Sequence, residues 1–521
     1  MRRNHLQKTP MRWLLTPLAF SRQIRRSLLL ALAAIALITS SFIGLFQQPS
    51  VAQTSAYCQL SDSDVAQKEQ LRQLALQGDR TAQDQYKTLM GQHAQQLRDC
   101  RSRTWPQEQS LWVRLYPCDA QPGAMDLLMD EVVNKGYNRV YVEALYNGQI
   151  LLPLASNTTA WPSVIRTPGY ETTDLLAEAI AKGRERGLTV YAWVFTMNFG
   201  YTYGQRSDRQ SALAYNGRGQ TSLTARSQAG LNSEGGSGEE VFIDPYNMTA
   251  KQDFYAAVDA IAQRRPDGIL FDYIRYPRGS GADSVADEVQ DLWIYGSASQ
   301  QTLLQRASNQ RGQDLIRRFL AQGYLTNGDI DAVKSLHPQE TEPLWQGRVP
   351  SASIANTPSD RLRPMLQQEL WYLSVAHAMQ GVIDFLAVGT LASDRYNLPG
   401  GAVFFPDGNQ TVGRSGYDSR LQPWDRFPGS LEWHPMSYAT CGNSTCIANQ
   451  VLRVANQAPA GTQVKPVLAG LWGSSISNRP SLESQMQAIR QAAPRVNAIS
   501  HFAYSWQEPN RDRDRKFCQL R

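Results

Sequence analysis

The sequence DGILFDYIRYP, residues 267–277, combines a turn, a short apolar run and an abrupt return to polar residues. Asp267-Gly268 predicts a turn, and the three apolar residues after it predict a buried strand. Asp272 and Arg275 follow at or just beyond the carboxyl end of that strand. A carboxylate that leaves an apolar strand costs free energy unless it is paired or functional. The segment therefore predicts either an Asp272–Arg275 bridge or a reactive carboxylate.

Seven further segments along the chain have a similar strand pattern. They are rich in β-branched and aromatic residues and alternate with helical patterns, which is typical of βα units and a parallel sheet. The predicted strands are Leu111–Tyr116, Arg139–Leu145, Thr189–Phe195, Gly268–Tyr273, Gly401–Phe405, Glu432–Tyr438, Val464–Leu471 and Ile499–Trp506. A closed barrel of the (β/α)8 type needs eight strands, so the predicted fold class is α/β, a TIM-type barrel.

The remaining sequence predicts two helical additions to this barrel, which is expected to occupy residues 105–521. Residues 53–104 contain two amphipathic patterns and predict a helical cap or spacer. The connection between the fourth and fifth strands is too long for one βα unit, which predicts a helical insertion at about residues 278–360.

The amino terminus, residues 1–52, has the pattern of an export signal. Seven basic residues lie between Arg2 and Arg26, before any acidic residue, and the uncharged run Leu28–Phe46 follows them. A positive flank, an apolar run and the small-residue site Ser50-Val51-Ala52 are typical of a secretory signal peptide. The run is also just long enough to span a bilayer, so an uncleaved membrane anchor is the alternative. In both cases the remainder is expected outside the cytoplasm, in the periplasm or the medium.

The charge distribution argues against a nucleic-acid partner. The chain has a net charge of +6, but the seven basic residues of the amino-terminal segment account for it. The remainder is nearly neutral and has no basic footprint for a polyanion. The sequence carries no signal for the oligomeric state.

The six cysteines, an even number, fit an oxidising compartment. One pair is close enough in sequence to clip a small loop, a second brackets a helical stretch, and the third follows the first and last barrel strands. These positions predict three disulfides, which would join Cys441 to Cys446, Cys58 to Cys100, and Cys118 to Cys518. No CxxC pair or His/Cys cluster has zinc-like spacing, so no metal site is expected.

Residues 267–277 also resemble the fourth-strand motif of the bacterial glycosyl-hydrolase-like family 10, whose usual form is close to DGxxFDDYxYP. The resemblance covers most of Leu111 to Trp506, including Phe242-Ile-Asp-Pro-Tyr-Asn, Trp193, Pro435-Met-Ser-Tyr438 and Ser500-His-Phe-Ala-Tyr504. Residues 267–277 are also similar, more distantly, to the fourth strand of α-amylase-type barrels, where the Asp is the nucleophile. The resemblance implies an exported glycosidase acting on an extracytoplasmic or cell-envelope polysaccharide. One position differs, because Tyr273 replaces the second Asp of the usual FDD.

A glycosidase normally uses two carboxyl groups. Asp272 is the first candidate, as nucleophile or as one of the two catalytic carboxylates. Glu143 ranks next because its strand is otherwise apolar, although a buried salt bridge would also explain it. Asp407 follows the fifth strand, where an Asp-Gly turn is the alternative. Glu508, after the eighth strand, ranks last because it also fits a solvated loop.

Aromatic and polar side chains at predicted strand ends are candidates for binding sugar rings and hydroxyls. Each of them also fits ordinary packing, and a lone histidine in an apolar strand is more often a core residue. The predicted substrate contacts are Arg275, Trp193, Tyr276, His434, Tyr438, Trp472, Trp506 and Glu508.

Several reaction classes lack their motifs. There is no GxGxxG before a helix, no phosphate-binding glycine loop and no GxSxG elbow, so no cofactor is expected. Hydrolysis of O-glycosidic bonds is the favoured function. The alternative is a non-catalytic carbohydrate-binding or envelope scaffold protein on the same barrel, which Tyr273 would favour.

Overall fold

The computed structural model describes residues 57–229, 240–349 and 357–519. Alternation of helices and apolar strands produces a nearly closed barrel of eight parallel strands in the order β6-β5-β4-β3-β2-β1-β8-β7. The parallel bridges Trp433–Val464 and Met436–Val467 bring β6 to β7. The strands are β1 (Glu108–Val113), β2 (Arg139–Tyr146), β3 (Thr189–Phe195), β4 (Gly268–Asp272), β5 (Gly400–Phe404), β6 (Glu432–Pro435), β7 (Val467–Ala469) and β8 (Ala498–Phe502). The predicted (β/α)8 class is confirmed.

Helices surround this barrel and extend it at two places, as predicted. The amino-terminal hairpin is α1 (Asp62–Leu76) and α2 (Arg80–Arg103), and the β4–β5 connection holds α6 (Ser297–Leu304), α7 (Gln310–Gln322), α8 (Asn327–Leu336) and α9 (Ser359–Asp394). The other helices are α3 (Ala124–Asn134), α4 (Leu175–Glu185), α5 (Met248–Ala262), α10 (Ser444–Gln457), α11 (Leu482–Ala492) and α12 (Pro509–Lys516). Short helices cover Gly200–Gly204, Ser222–Ala229 and Tyr504–Gln507. The predicted signal or anchor, Leu28–Phe46, lies outside the described residues.

Short antiparallel β-strands extend the carboxyl-terminal rim of the barrel. Gln149–Ile150 pairs with β2. Val285–Ala286, Thr411–Val412 and Gly416–Asp418 form a separate three-stranded sheet. This sheet joins the β4–β5 connection to the β5–β6 connection on one side of the rim.

Some strand boundaries differ from the prediction. β1 begins earlier than expected because the polar residues Gln109 and Ser110 are fully buried within it. Polar residues at these two positions favour a loop, so the sequence pattern predicts a strand that begins only at Leu111. The seventh strand is shorter than the apolar run Val464–Leu471 that predicted it.

Helix ends follow cap residues that the sequence contains. Asn247 accepts a hydrogen bond from the Ala250 amide at 3.1 Å and begins α5. After α3 the chain turns at Gly136, whose φ is +78°. A Cβ at this position would lie 2.1 Å from the Tyr57 carbonyl oxygen, so only glycine fits the turn.

The lowest inward-facing layer of the barrel is ionic. Arg139 pairs with Glu108 and with Glu432, both at 3.0 Å. Lys465 pairs with the same two carboxylates at 2.9 and 2.8 Å. Because each cation meets two carboxylates, the layer is balanced, and it closes the amino-terminal end of the barrel.

The helix α9 is apolar and long enough to cross a membrane by length and composition, and half of its most apolar stretch is buried within the fold. Phe385 of α9 stacks on Phe254 of α5 with ring centroids 5.2 Å apart. Gly389 brings the helix close to β4, because a Cβ there would lie 2.6 Å from the Phe271 ring. Packing against the barrel thus accounts for much of the apolar character of α9.

Three disulfides join the six cysteines, as predicted. They are Cys58–Cys100, Cys118–Cys518 and Cys441–Cys446. The first ties the segment before α1 to α2. The second ties the turn after β1 to the residues after α12, so it links the first and last barrel units.

Removal of the Cys118–Cys518 disulfide is expected to lower the free energy of unfolding by about 2–4 kcal/mol, because it closes the largest loop of the chain. The two cysteines are 400 residues apart in sequence. The matched control is a double serine variant of Cys441 and Cys446, which are 5 residues apart and should lose less. Urea unfolding of both double variants measures the two losses. A larger loss in the short-loop variant would contradict the prediction.

Candidate active site

The carboxyl ends of the barrel strands surround a cleft of about 1360 Å³. Residues from, or directly after, seven of the eight strands line it: Trp112, Glu143, Trp193, Asp272, Phe405, Met436 and Phe502. In barrels of this type the residues that carry chemistry lie at this end of the strands. The strand that contributes no lining residue is β7.

Aromatic rings form the floor of the cleft. The Trp112 and Trp193 rings meet edge to face with centroids 4.7 Å apart, and Phe502 lies 6.0 Å from Trp112 and 6.1 Å from Trp193. The Trp112 indole nitrogen donates to Ser500 Oγ at 3.1 Å, which fixes that ring. Sugar C–H faces suit such a surface. Trp193 was predicted here, whereas Trp112 was missed because its strand has the pattern of ordinary core.

Asp272 ends β4 above this floor and is only 7% exposed. The Tyr273 amide donates to Oδ1 at 2.6 Å, and the Trp193 indole donates to Oδ2 at 3.1 Å. Burial raises the pKa of Asp272 to about 6. The Tyr273 amide, Arg275 and the Trp193 indole oppose that rise, and the negative charge of Glu143 adds to it. Asp272 is therefore a positioned carboxyl group that changes charge near neutral pH.

Arg275 lines the same cleft but does not bridge Asp272. Its Nη1 donates to the Tyr276 carbonyl at 3.0 Å, and its guanidinium lies over the Tyr273 ring at 4.6 Å. Among the described residues the Asp272–Arg275 ion pair is absent, so that alternative from the sequence is wrong. Arg275 acts on Asp272 only through space, by lowering its pKa.

Glu143 lies in β2, fully buried, and is held by Arg114. The guanidinium reaches both carboxylate oxygens, with Nη2 donating to Oε1 at 3.1 Å and Nε donating to Oε2. Burial raises the pKa of Glu143, and Arg114 opposes that rise. The structure thus brings together the two carboxyl groups that ranked highest in the sequence, with a salt bridge on the second.

A third carboxyl group in the cleft, Glu240, was not predicted. It is 4% exposed, and the Tyr273 hydroxyl donates to its Oε1 at 3.1 Å. It follows the Ser- and Gly-rich stretch of residues 217–238, which reads as a surface loop. No local pattern identifies it as a buried residue, although it lies two residues before Phe242-Ile-Asp-Pro.

Tyr273 adopts a left-handed backbone conformation, with φ of +52°. This conformation is costly for an aromatic residue, and strained residues of this kind cluster at functional sites. It directs the phenol from the end of β4 towards Glu240. The motif that residues 267–277 resemble has a second Asp at this position. This chain has instead the Tyr273 hydroxyl, which is hydrogen-bonded to the Glu240 carboxylate.

Tyr438, predicted as a substrate contact, also lines the cleft. Burial raises its pKa, and the nearby negative charge of Asp272 adds to that rise. Its ring lies 6.1 Å from Phe502. The phenol is therefore close to the carboxyl group that ends β4.

Asp407 and Glu508 lie away from the cleft. The Asp407 side chain is 46% exposed and pairs with Arg453 at 3.2 Å, and the Gly408 amide closes a turn on the Phe405 carbonyl at 2.9 Å. Asp407 therefore belongs to an Asp-Gly turn, which was the alternative interpretation of this residue. Glu508 pairs with Lys135 instead.

Four predicted ring contacts do not line the cleft either: Tyr276, His434, Trp472 and Trp506. Tyr276 is fully buried, and His434 lies in the barrel interior, bonded to Glu432 at 3.2 Å, one layer below Met436. Trp472 packs against His501 on the outer face of β8, and Trp506 lies in the short helix after that strand. Within the described residues, no group of three or more His, Cys, Asp or Glu side chains is arranged to hold a metal ion.

Comparisons with known proteins gave matches in structure alone. No family model matches the sequence, and no curated protein matches it. Among solved structures, the PgaB (BpsB) glycoside hydrolase domain from Bordetella bronchiseptica is 13% identical, with a TM-score of 0.44 over 78% of this chain and 98% of that chain. The catalytic domain of β-amylase from Paenibacillus polymyxa is 10% identical, with a TM-score of 0.45 over 76% and 92%.

Proposed function

We propose that this protein hydrolyses O-glycosidic bonds in an extracytoplasmic or cell-envelope polysaccharide. The observation that carries the proposal is the position of Asp272, a buried carboxyl group with a pKa of about 6 above an aromatic floor. Two further buried carboxyl groups, Glu143 and Glu240, line the same cleft. Paired carboxyl groups facing a sugar-binding surface are what glycoside hydrolysis requires. The resemblance to the glycosyl-hydrolase-like family 10 supports the same proposal.

In this mechanism Asp272 is the ionised carboxylate, acting as nucleophile or as the base that activates water. Its two hydrogen bonds fix both oxygens towards the cleft. The second carboxyl group must carry a proton to the leaving oxygen. Glu143 fits that role through its burial, and Glu240 competes for it because Tyr273 binds it in the same cleft.

The three disulfides support export of the chain, since such bonds persist in oxidising compartments. The pattern of residues 1–52 agrees with that location. We therefore place the proposed reaction in the periplasm or outside the cell.

The proposal is tested by measuring reducing ends released from purified envelope glycans and a panel of polysaccharides. Wild-type protein should release product, and Asp272→Asn should not. Binding that survives in both proteins, with no product from either, would instead establish a carbohydrate-binding protein. The bidentate Arg114–Glu143 pair and Tyr273 are the features that favour this second function.

The rate of hydrolysis is expected to depend on pH as a bell-shaped curve. Activity should rise as pH increases through about 6, because Asp272 must lose its proton. It should fall again when the proton-donating carboxyl group ionises. Burial raises the pKa of Glu143, so Glu143→Gln should lose the falling limb if Glu143 is the donor, and Glu240→Gln should then keep it. A profile that declines through pH 6 would contradict the assigned role of Asp272.

A further inference from the structure

Three arginine side chains converge on one ring at the cleft wall. The guanidinium carbons of Arg420, Arg275 and Arg278 lie 4.4, 5.6 and 5.8 Å from the centre of the Phe405 ring. Arg275, Arg278 and Phe405 also line the cleft directly. We call Arg275, Arg278 and Phe405 together the Phe405 wall.

Few carboxylates offset this positive charge within the described part of the chain, and the cleft carboxylate Asp272 acts on Arg275 only through space. Asp418 pairs with Arg420 at 2.6 Å, and both of its oxygens are used by that arginine. Arg275 is only 6% exposed, and its hydrogen bond goes to a backbone carbonyl. In the same described residues neither Arg275 nor Arg278 has an ion-pair partner. Asp283, the acidic residue on the adjoining loop, is exposed and pairs with neither of them.

Clustered like charges of this kind are costly. One backbone carbonyl and the faces of neighbouring rings replace only part of the solvation that the buried Arg275 guanidinium loses, and its cationic neighbour repels it. An anion bound in the cleft would offset both effects. The planar fork of arginine matches the oxygens of carboxylate, sulfate and phosphate groups, and binds each of them through two parallel hydrogen bonds.

We propose that the Phe405 wall binds an anionic substituent of the saccharide, so that the substrate class is an acidic polysaccharide. The substituent is a carboxylate, or a sulfate or phosphate ester, presented beside the Trp112–Trp193 floor. This inference rests on the proposed carbohydrate function of the cleft and specifies its substrate class.

Binding measurements on the full chain test the inference, with Asp272→Asn in every protein so that no polymer is consumed. The probes are polygalacturonate and its methyl ester for carboxylates, and dextran sulfate and dextran for ester sulfates. At least one anionic probe should bind about tenfold more tightly than its neutral counterpart. The pair that shows the preference identifies the source of the charge.

Arg278→Gln should remove this preference, and because Arg278 is exposed the variant should fold normally. Arg275→Lys, which keeps the charge but not the fork, should weaken the preference in part. The matched control is Arg513→Gln on α12, an exposed arginine outside the cleft lining, which should bind as the parent does. Equal binding of anionic and neutral probes, or an unchanged preference in Arg278→Gln, would overturn the inference.

Failure of the proposed hydrolysis would look different. Absence of product from every polysaccharide, together with an acidic preference that Arg278→Gln removes, would refute hydrolysis and leave the inference standing. Product from neutral polysaccharides, with kcat/KM unaffected by Arg278→Gln, would support hydrolysis and refute the inference.

Discussion

Replacement of Asp272 by asparagine is expected to lower kcat/KM for glycan hydrolysis by about 10³-fold or more, equivalent to about 4 kcal/mol of transition-state stabilisation. Asparagine has nearly the same shape and can still accept a hydrogen bond from Tyr273 or Trp193. It cannot supply the negative charge that Asp272 carries above its pKa of about 6. Initial rates of reducing-end release with the preferred polysaccharide measure the loss.

Asp267→Asn is the matched control, because it makes the same substitution at the opposite end of β4. Asp267 binds Arg184 at 2.7 Å and the Val190 amide at 2.7 Å, away from the cleft. This variant should keep the wild-type rate per folded molecule. Equal losses in Asp267→Asn and Asp272→Asn would show that the effect comes from disturbing the strand.

The Asp272 variant should also reveal the cost of burying this carboxylate. Burial raises its pKa from 3.8 to about 6, so the fold favours the protonated form. The contribution of the Asp272 carboxyl group to the free energy of unfolding is fully present below pH 3.8 and is lost as pH rises through about 6. The loss is about 3 kcal/mol, and an asparagine does not incur it. The free energy of unfolding of Asp272→Asn should therefore increase relative to that of wild type as pH rises from about 4 to about 7. Urea unfolding at several pH values measures this difference.

The position of Asp272 could be predicted from local sequence because one strand determines it. The turn at Asp267-Gly268 and the apolar run set where β4 begins and which face is buried. Parallel strands of a barrel then end at one rim, which is why Glu143 and Trp193 also reached the cleft. None of these inferences required knowledge of a distant contact.

The depth of a side chain inside the barrel could not be predicted in this way. His434 and Met436 have the same alternation and both point inward, but only Met436 reaches the cleft. Strand tilt and stagger set this difference, and they belong to the whole barrel rather than to β6. Alternation also fails after Tyr273, where the left-handed backbone turns the chain and buries Tyr276.

Glu240 shows a second limit, since its position depends on a tertiary contact. The residues around it read as a polar loop, and nothing local indicates that a carboxylate there is buried. It reaches the cleft because the turn at Tyr273 brings a phenol hydroxyl within 3.1 Å of it. The substitution that seemed to remove a carboxylate from the site is thus the contact that holds another one.

Replacement of Asp130 by alanine is expected to destabilise the protein by about 3–5 kcal/mol, the largest stability loss among these variants. Asp130 on α3 is 3% exposed. It accepts hydrogen bonds from Arg186 at 2.8 Å and from Tyr86 at 2.6 Å, and Lys68 lies 3.6 Å away. Lys68 belongs to α1 and Tyr86 to α2, so this carboxylate fixes the amino-terminal hairpin to the barrel. Urea unfolding measures the loss.

The loss should arise from uncompensated charge rather than from a cavity. Lys68 and Arg186 are each 1% exposed, and without Asp130 the Lys68 ammonium would be buried with no carboxylate against it. A second substitution, Lys68→Met, should therefore recover a large part of the lost stability, because it keeps the volume and removes the charge. Asp126→Ala is the control, since Asp126 pairs with Arg186 at 2.9 Å but is 19% exposed and should cost less. If Lys68→Met fails to restore stability in the Asp130→Ala background, packing and not charge holds the hairpin on the barrel.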